Sequence, residues 1–222
     1  MVIILFILMV VILLTSEYFS LSKKMAVNTE RHVQSSIGKD EIIERYFHKG
    51  HSWALVQPSK NIVVGIDDFA QTVIGKITSI QLPNPGALLR QGEQFVTMRH
   101  GEKALSPAAP LSGTIVEVND KLRSNPQGVN DSPLEKGWVV KISPTNLAGE
   151  LRWLLKGVPA ARWQEAVRAQ LVQWFSPRTA TVMQDGGKIV DTLSDTLSDN
   201  EWRMLVDEFF NKHDTDTHAF HS

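Results

Sequence analysis

The chain has 222 residues, of which 42% are hydrophobic and 8% aromatic, enough apolar material for one or two modest cores and too much for wholesale disorder. Its 23 Lys and Arg residues against 24 Asp and Glu residues leave a formal net charge of -1, which disfavours a nucleic-acid-binding role because no overall field attracts polyanions. The absence of cysteine excludes disulfides, thiolate metal sites and thiol nucleophiles.

The N-terminal segment is strongly apolar. Residues 2–14 read VIILFILMVVILL, and the stretch 2–21 is just long enough to cross a bilayer, which takes about 20 residues. No basic residue precedes it and no small-x-small cleavage site follows it, which favours an uncleaved anchor over a signal peptide. Because Lys23, Lys24 and Arg31 follow it, the positive-inside rule predicts a single-pass protein of the cell membrane with its main domain in the cytoplasm.

Changes in composition predict the domain organisation. The anchor is followed by a polar segment of mixed charge, then by short strands between Gly, Pro and Asn residues, and finally by helical patterns. We therefore expect five parts: a transmembrane anchor (1–22), a polar tether (23–42), a β domain (43–147), a helical C-terminal extension (148–212) and a flexible tail (213–222).

The middle of the chain reads as a small β domain. Short strands at close intervals favour a flattened sandwich or barrel over a parallel α/β sheet. The candidate strands are residues 54–57, 61–66, 75–81, 94–99, 113–118 and 137–142.

The C-terminal third changes to helical periodicity. Helices are predicted at 147–155 and 160–175, and the second carries an apolar stripe for which packing onto the same molecule is favoured over docking to a partner. A hairpin is predicted around Asp185–Gly187. Ser198 and Glu201 have capping-box spacing and predict a last helix over 199–211. The stripe consists of Trp163, Val167, Leu171 and Trp174.

A series of short motifs follows in order along the middle domain. The blocks are YFHKGHSWALV from Tyr46; VGIDDFAQ from Val64, then Gly75, Ile77, Leu82, Pro83 and Gly86; PLSG from Pro110 with VEVN from Val116; and Val129, Asn130, Pro133, Gly137, Trp138 and Lys141. Each block alone is weak, but in this order they closely resemble the glycine cleavage system H protein, a lipoyl-bearing carrier, over residues 43–147.

The resemblance implies a mainly β fold, a flattened β-sandwich and barrel hybrid of the lipoyl/biotinyl type. Here an N-terminal transmembrane helix and a helical C-terminal extension with a short hairpin would be added to it. In the family, a hairpin presents a lysine that is acylated by lipoate, while catalysis resides in partner proteins. The resemblance therefore implies a carrier or binding subunit that is not an enzyme and has no catalytic residues.

The modification site is where this sequence departs from the family. Counting the family's spacing back from Pro110, or forward from Phe95, places Glu102 at the position of the lipoyl lysine. Lys103 comes one residue too late, and Arg99 stands where the motif has a glutamate. Because Glu102 cannot form the amide, Lys103 is the lipoyl-attachment candidate.

A type II′ turn with Gly101 and Glu102 at its centre would place His100 opposite Lys103. Since a one-residue slip reverses the face on which a side chain points, an ordinary exposed Lys103 is favoured over an acylated one. The candidates for a recognition tip are Arg99, His100, Gly101 and Glu102, although a solvated turn is the favoured interpretation.

Other polar residues indicate no further chemistry. His51 and Trp53 match the family pattern, and a structural role is favoured for both. His213, His218 and His221 lie with Asp214 and Asp216 in an irregular tail, for which a flexible segment is favoured over a metal site. We predict no metal site and find no phosphate loop, nucleophile elbow or dinucleotide fingerprint.

These observations lead to a first hypothesis and two alternatives. The first is a membrane-anchored, non-lipoylated interaction or scaffold subunit of a complex at the cytoplasmic face, with no cofactor. The first alternative is a carrier with lipoate on Lys103 that shuttles an aminomethyl-type group; the second is an extracytoplasmic adaptor with a lipoyl-like domain. Protein partners and the membrane, through residues 2–21, are the predicted partners, with no nucleic acid and no identified small-molecule substrate.

Overall fold

The computed structural model of the chain describes residues 43–58, 61–175 and 193–211. The strands in these ranges are β1 (Glu44–His48), β2 (Ser52–Val56), β3 (Ile62–Ile66), β4 (Ser79–Gln81), β5 (Leu88–Leu89), β6 (Thr97–His100), β7 (Lys103–Leu105), β8 (Gly113–Val118) and β9 (Val140–Pro144). The helices are α1 (Asp68–Ile74), α2 (Lys121–Ser124), α3 (Gly128–Asp131), α4 (Leu147–Leu151), α5 (Gly157–Phe175), α6 (Leu193–Thr196) and α7 (Asp199–Val206), which continues as a π-helix (Asp207–Asn211).

The strands form two antiparallel sheets. Six strands pair in the order β1-β2-β3-β9-β8-β5, and three pair in the order β4-β6-β7. Ile66 and Ile115 of the larger sheet and Met98 of the smaller one belong to one buried core. The mainly β fold expected from the sequence is confirmed by this arrangement.

The predicted strands do not include β1, β5 or β7, and the strand predicted over 75–81 is shortened because a helix precedes it. Asp67 caps the N-terminus of α1 by accepting a hydrogen bond from the Ala70 amide at 2.9 Å. The helix ends at Gly75, whose φ of 72° suits a residue without a Cβ atom. The strand predicted to start at residue 75 therefore starts only at Ser79.

The predicted helix 147–155 is also shorter, because the chain leaves α4 to pair with the edge of the larger sheet. The Phe47 amide donates to the Leu155 carbonyl at 2.7 Å, and the Leu155 amide donates back at 2.8 Å. These paired groups replace the hydrogen bonds that a longer helix would have made.

The apolar stripe of α5 packs onto the same molecule, as its pattern indicated. Val167 and Leu171 are buried in the common core, and the Trp163 ring stacks on His51 with centroids 5.3 Å apart. Pro159 lies in the first turn, where its missing amide costs little.

The capping box at the start of the last helix is confirmed. The Ser198 side chain accepts a hydrogen bond from the Glu201 amide, and the Glu201 carboxylate accepts one from the Ser198 amide. The predicted anchor, tether, hairpin at 181–190 and tail lie outside the described residues.

Replacing Leu171 with Ala should destabilise the protein, because Leu171 is fully buried in the core. We expect a loss of about 2–5 kcal/mol, the usual range for a buried Leu→Ala change. On the same helix Val158 is 63% exposed, so Val158→Ala is the control and should change stability by no more than about 0.5 kcal/mol. Urea unfolding followed by circular dichroism measures both, and equal losses would contradict this packing of α5.

Candidate functional site

The hairpin between β6 and β7 has the turn that the sequence indicated. Arg99 pairs with Ala104 and His100 pairs with Lys103, which leaves Gly101 and Glu102 as the two turn residues. Gly101 has a φ of 56°, whereas Glu102 does not have a positive φ. A positive φ at the first turn residue alone fits type II′ and excludes type I′, which requires positive values at both.

The side chains of this hairpin differ in exposure. Arg99, Gly101 and Glu102 are exposed, whereas His100 and Lys103 are half-buried. The acidic residue thus projects at the turn, and the lysine lies on the strand that follows it. Since neighbouring residues of a strand point to opposite faces, the one-residue offset gives the lysine a different environment.

The Lys103 ammonium group contacts the carboxyl end of α6. It donates hydrogen bonds to the main-chain carbonyls of Ser194 and Leu197, and it lies over the Trp202 ring, 5.9 Å from the centroid. Carbonyls at a helix C-terminus lack intrahelical donors and carry partial negative charge. Lys103 therefore satisfies this helix end and attaches the C-terminal extension to the hairpin.

His100 makes a second connection between the hairpin and the extension. Its Nδ1 lies 2.5 Å from the Lys76 carbonyl oxygen, and its Nε2 lies 2.7 Å from an Asp195 carboxylate oxygen. The hydrogen bond to the Lys76 carbonyl raises the pKa of His100 above 6.5; partial burial opposes this increase, and Asp195 adds to it. The doubly protonated imidazolium is the form that donates at both nitrogens.

Two further hydrogen bonds hold the extension in place. The Ser194 hydroxyl donates to the Ile74 carbonyl at 2.8 Å, and the Trp202 indole donates to the Ala104 carbonyl at 3.2 Å. Leu193, Leu197 and Trp202 are buried beside them. We call residues 193–206 the C-terminal cap, because they cover one side of the hairpin.

The structure brings the predicted site residues together with partners that the sequence did not indicate. Ser194, Asp195, Leu197 and Trp202 are about ninety residues away from the hairpin in sequence and meet it only in the folded chain. The helical pattern around Trp202 indicated a packed face and carried no signal for what it contacts. The roles proposed for Arg99, Gly101 and Glu102 stay predictions.

His51 lies in a fully buried cluster away from the hairpin turn. Its Nδ1 is 3.0 Å from the Asp67 carboxylate, and both side chains have 0% exposure. Its ring stacks on Phe69 with centroids 4.3 Å apart and contacts Phe210 at 4.6 Å. This packing agrees with a structural role for His51.

Trp53 is likewise structural. Its indole nitrogen donates to the carbonyls of Ile66 at 3.0 Å and Pro133 at 3.1 Å. A Cβ atom at Gly65 would collide with its ring, so the family-like Trp and Gly fit each other. Among the residues that the structure describes, no group of three or more His, Cys, Asp or Glu side chains could hold a metal ion; the tail histidines lie outside them.

The two sheets and the tight hairpin define a lipoyl-type β domain, and comparison with known proteins identifies its family. The model of the "Glycine cleavage H-protein" family matches residues 45–165, more than half of the chain. The chain belongs to the glycine cleavage H-protein family. The prediction that it is not an enzyme is confirmed by this membership, since the family consists of carrier proteins.

Two sequence relatives support this assignment, and one solved structure shows a likeness to the chain. The chain is 40% identical over 105 residues to a glycine cleavage system H protein of Geobacillus thermodenitrificans, covering 47% of this chain and 82% of the relative. It is 32% identical over 122 residues to a probable H protein of Thermococcus gammatolerans, covering 55% and 90%. A crystal structure of an H protein from Mycobacterium marinum matches with 26% identity and a TM-score of 0.48, covering 56% and 96%.

The predicted localisation, as a single-pass protein of the cell membrane, is wrong by these findings. The relatives are glycine cleavage H proteins, and no helix in 43–58, 61–175 or 193–211 is long and apolar enough to cross a membrane. The apolar segment 2–21, on which that prediction depended, lies outside these ranges.

Replacing Lys103 with Met should destabilise the C-terminal cap, because the Ser194 and Leu197 carbonyls lose their charged donor. We expect a loss of about 1–3 kcal/mol, the usual cost of leaving such groups unsatisfied. Lys141→Met is the matched control: Lys141 also lies over a tryptophan, Trp138, at 5.0 Å, but pairs with the exposed Glu117 and should lose at most about 1 kcal/mol. Urea unfolding compares the two, and equal losses would contradict the capping role of Lys103.

Proposed function

We propose that this chain is a non-catalytic, non-lipoylated binding subunit of the H-protein family, which contacts protein partners through the surface around the β6–β7 hairpin. The proposal rests on one observation: the exposed residue at the turn is an acid, and the neighbouring lysine is occupied by other contacts. Glu102 projects at the turn, and the Lys103 amine is bound to the Ser194 and Leu197 carbonyls.

The residues of the hairpin do not fit lipoate, the group that the family carries. A lipoyl amide needs a free lysine amine that a modifying enzyme can reach. The Glu102 carboxylate cannot form that amide, and Lys103 is half-buried beneath the C-terminal cap. Acylation would also replace the ammonium charge with a neutral amide, which interacts more weakly with a helix C-terminus.

The exposed side chains of the turn support a role in recognition. Arg99 and Glu102 carry opposite charges beside the glycine of a tight turn, and such residues steer and orient a partner more than they add affinity. Because a two-residue turn between paired strands is rigid, these groups are presented in a defined geometry. The partner is expected to be a protein with a complementary charged surface.

The domain organisation belongs to the same proposal. We propose that residues 43–147 provide the H-protein-like scaffold and that the extension, 148–212, adapts its hairpin. Its described helices contribute Val167, Leu171 and Trp202 to the same core as the β sheets. The extension is thus suited to control access to the hairpin.

The carrier is the second candidate function, and the comparisons favour it over the scaffold. The relatives are named glycine cleavage system H proteins, and the chain covers 82% and 90% of their lengths in these two cases. In this alternative Lys103 bears lipoate and the chain carries an aminomethyl-type group between enzymes. The geometry of Lys103 and the family membership thus favour different functions, and one measurement separates them.

Intact mass spectrometry of protein produced in lipoate-competent cells should show an unmodified chain. The positive control is Glu102→Lys, which restores a lysine at the family position on an exposed turn and should be acylated by a lipoate ligase. Lys103→Arg in the Glu102→Lys background assigns any adduct to residue 102.

A lipoyl adduct on the unsubstituted chain that disappears in the single variant Lys103→Arg would reject the scaffold and establish the carrier. An unmodified chain beside a modified Glu102→Lys variant would reject the carrier. If neither the unsubstituted chain nor the Glu102→Lys variant is modified, the ligase reaction is repeated with protein in which a low urea concentration has loosened the cap. This reaction tests whether the cap alone prevents acylation of Lys103.

A further inference from the structure

The contacts of His100 with the C-terminal cap depend on its protonation. Both ring nitrogens face acceptors, the Lys76 carbonyl at 2.5 Å and the Asp195 carboxylate at 2.7 Å. A neutral imidazole carries one N–H, so its other nitrogen would direct a lone pair at an oxygen. Deprotonation of His100 therefore removes one of the two hydrogen bonds and the charge attraction to Asp195.

We propose that His100 is a proton-operated latch that holds the C-terminal cap over the hairpin and releases it as the pH rises. The Lys76 carbonyl belongs to the loop after α1, and Asp195 belongs to α6, so the imidazolium joins the β domain to the cap. His100 itself keeps 19% side-chain exposure, which leaves water a path to its proton.

The groups that face His100 determine the direction in which its pKa is shifted. The Lys76 carbonyl and then Asp195 favour the protonated form, whereas burial and the neighbouring Lys103 oppose it, and the balance raises the pKa of His100 above 6.5. A group whose pKa is higher in the closed state than in the open state stabilises the closed state. This stabilisation is fully present while the pH is below the open-state pKa. Its contribution is lost as the pH rises through the closed-state value, so the cap loosens above about pH 6.5.

Release of the cap would change what the hairpin presents. β7 is the edge strand of the smaller sheet, and its Ala104 carbonyl accepts the Trp202 indole only while the cap is closed. Opening would also free the Lys103 amine from the α6 carbonyls. An uncovered edge strand with unpaired main-chain groups can accept another chain segment.

The biological consequence of the latch rests on the proposed function, because it regulates access to the hairpin. The latch itself is tested by closure of the cap and not by partner binding or acylation. Failure of the latch and failure of the proposed function are therefore distinguishable.

Hydrogen–deuterium exchange of the full chain between pH 5.5 and 8.5, corrected for intrinsic exchange rates, measures this closure. Protection of residues 193–206 should fall by roughly tenfold for each unit by which the closed-state pKa exceeds the open-state value. Protection of 163–175 in α5 serves as the internal control and should stay constant. His100→Gln carries no titratable proton and no charge, so its cap should show the lower, high-pH level of protection at every pH.

The proposal would be overturned if the protection of residues 193–206 in the unsubstituted chain did not change with pH. An equal change of protection with pH in His100→Gln would also overturn it. If His100→Gln does not fold, NMR titration of the unsubstituted chain decides. The His100 ring should titrate above pH 6.5, with the Trp202 indole N–H changing at the same midpoint. A lower His100 midpoint, or an indole resonance that does not follow it, would reject the latch.

Discussion

The ammonium group of Lys103 lies where a β-hairpin meets the carboxyl end of a short helix, and the arrangement of the candidate site depends on this contact. A helix of only four residues, α6, cannot satisfy its own terminal carbonyls. Lys103 supplies donors for two of them, and apolar burial of Leu197 and Trp202 surrounds the contact. The same lysine cannot serve this helix end and bear an acyl group without a rearrangement of the cap.

The register of the hairpin explains why the lysine has this role. With Gly101 and Glu102 in the turn, position 102 projects into solvent and position 103 begins a strand. A shift of one residue therefore separates an exposed tip from a half-buried contact. The turn geometry depends on the positive φ of Gly101 and does not restrict which side chain follows it.

Charge and burial act together in the C-terminal cap. His100 and Lys103 are the last paired residues before and after the turn, and both contact α6, through Asp195 and through main-chain carbonyls respectively. The lysine contact does not need a histidine proton, whereas the histidine contact does. The stabilisation of the closed cap thus has a part that does not change with pH, to which the buried Leu193, Leu197 and Trp202 also contribute. A smaller part depends on the protonation of His100.

Much of the fold could be predicted from local sequence. Alternating and turn residues indicated β8 without error in its bounds, and the capping box at Ser198 indicated α7. Short elements such as β5 and β7 were missed because two or three residues carry too little periodicity. The helix predicted up to residue 155 ended earlier because Leu155 pairs with Phe47 at a sheet edge, a contact between distant segments.

Local sequence patterns were sufficient to indicate the family, the type of fold, the II′ turn and the presence of Glu102 where a lysine was expected. These features reside in residue types at short spacings, which local backbone preferences and side-chain chemistry suffice to interpret. The contacts of Lys103 and His100 become visible only in the folded chain, because their partners, Ser194, Asp195 and Leu197, lie far along the sequence. A hydrogen bond between such segments depends on packing of the whole core, for which local patterns carry no signal.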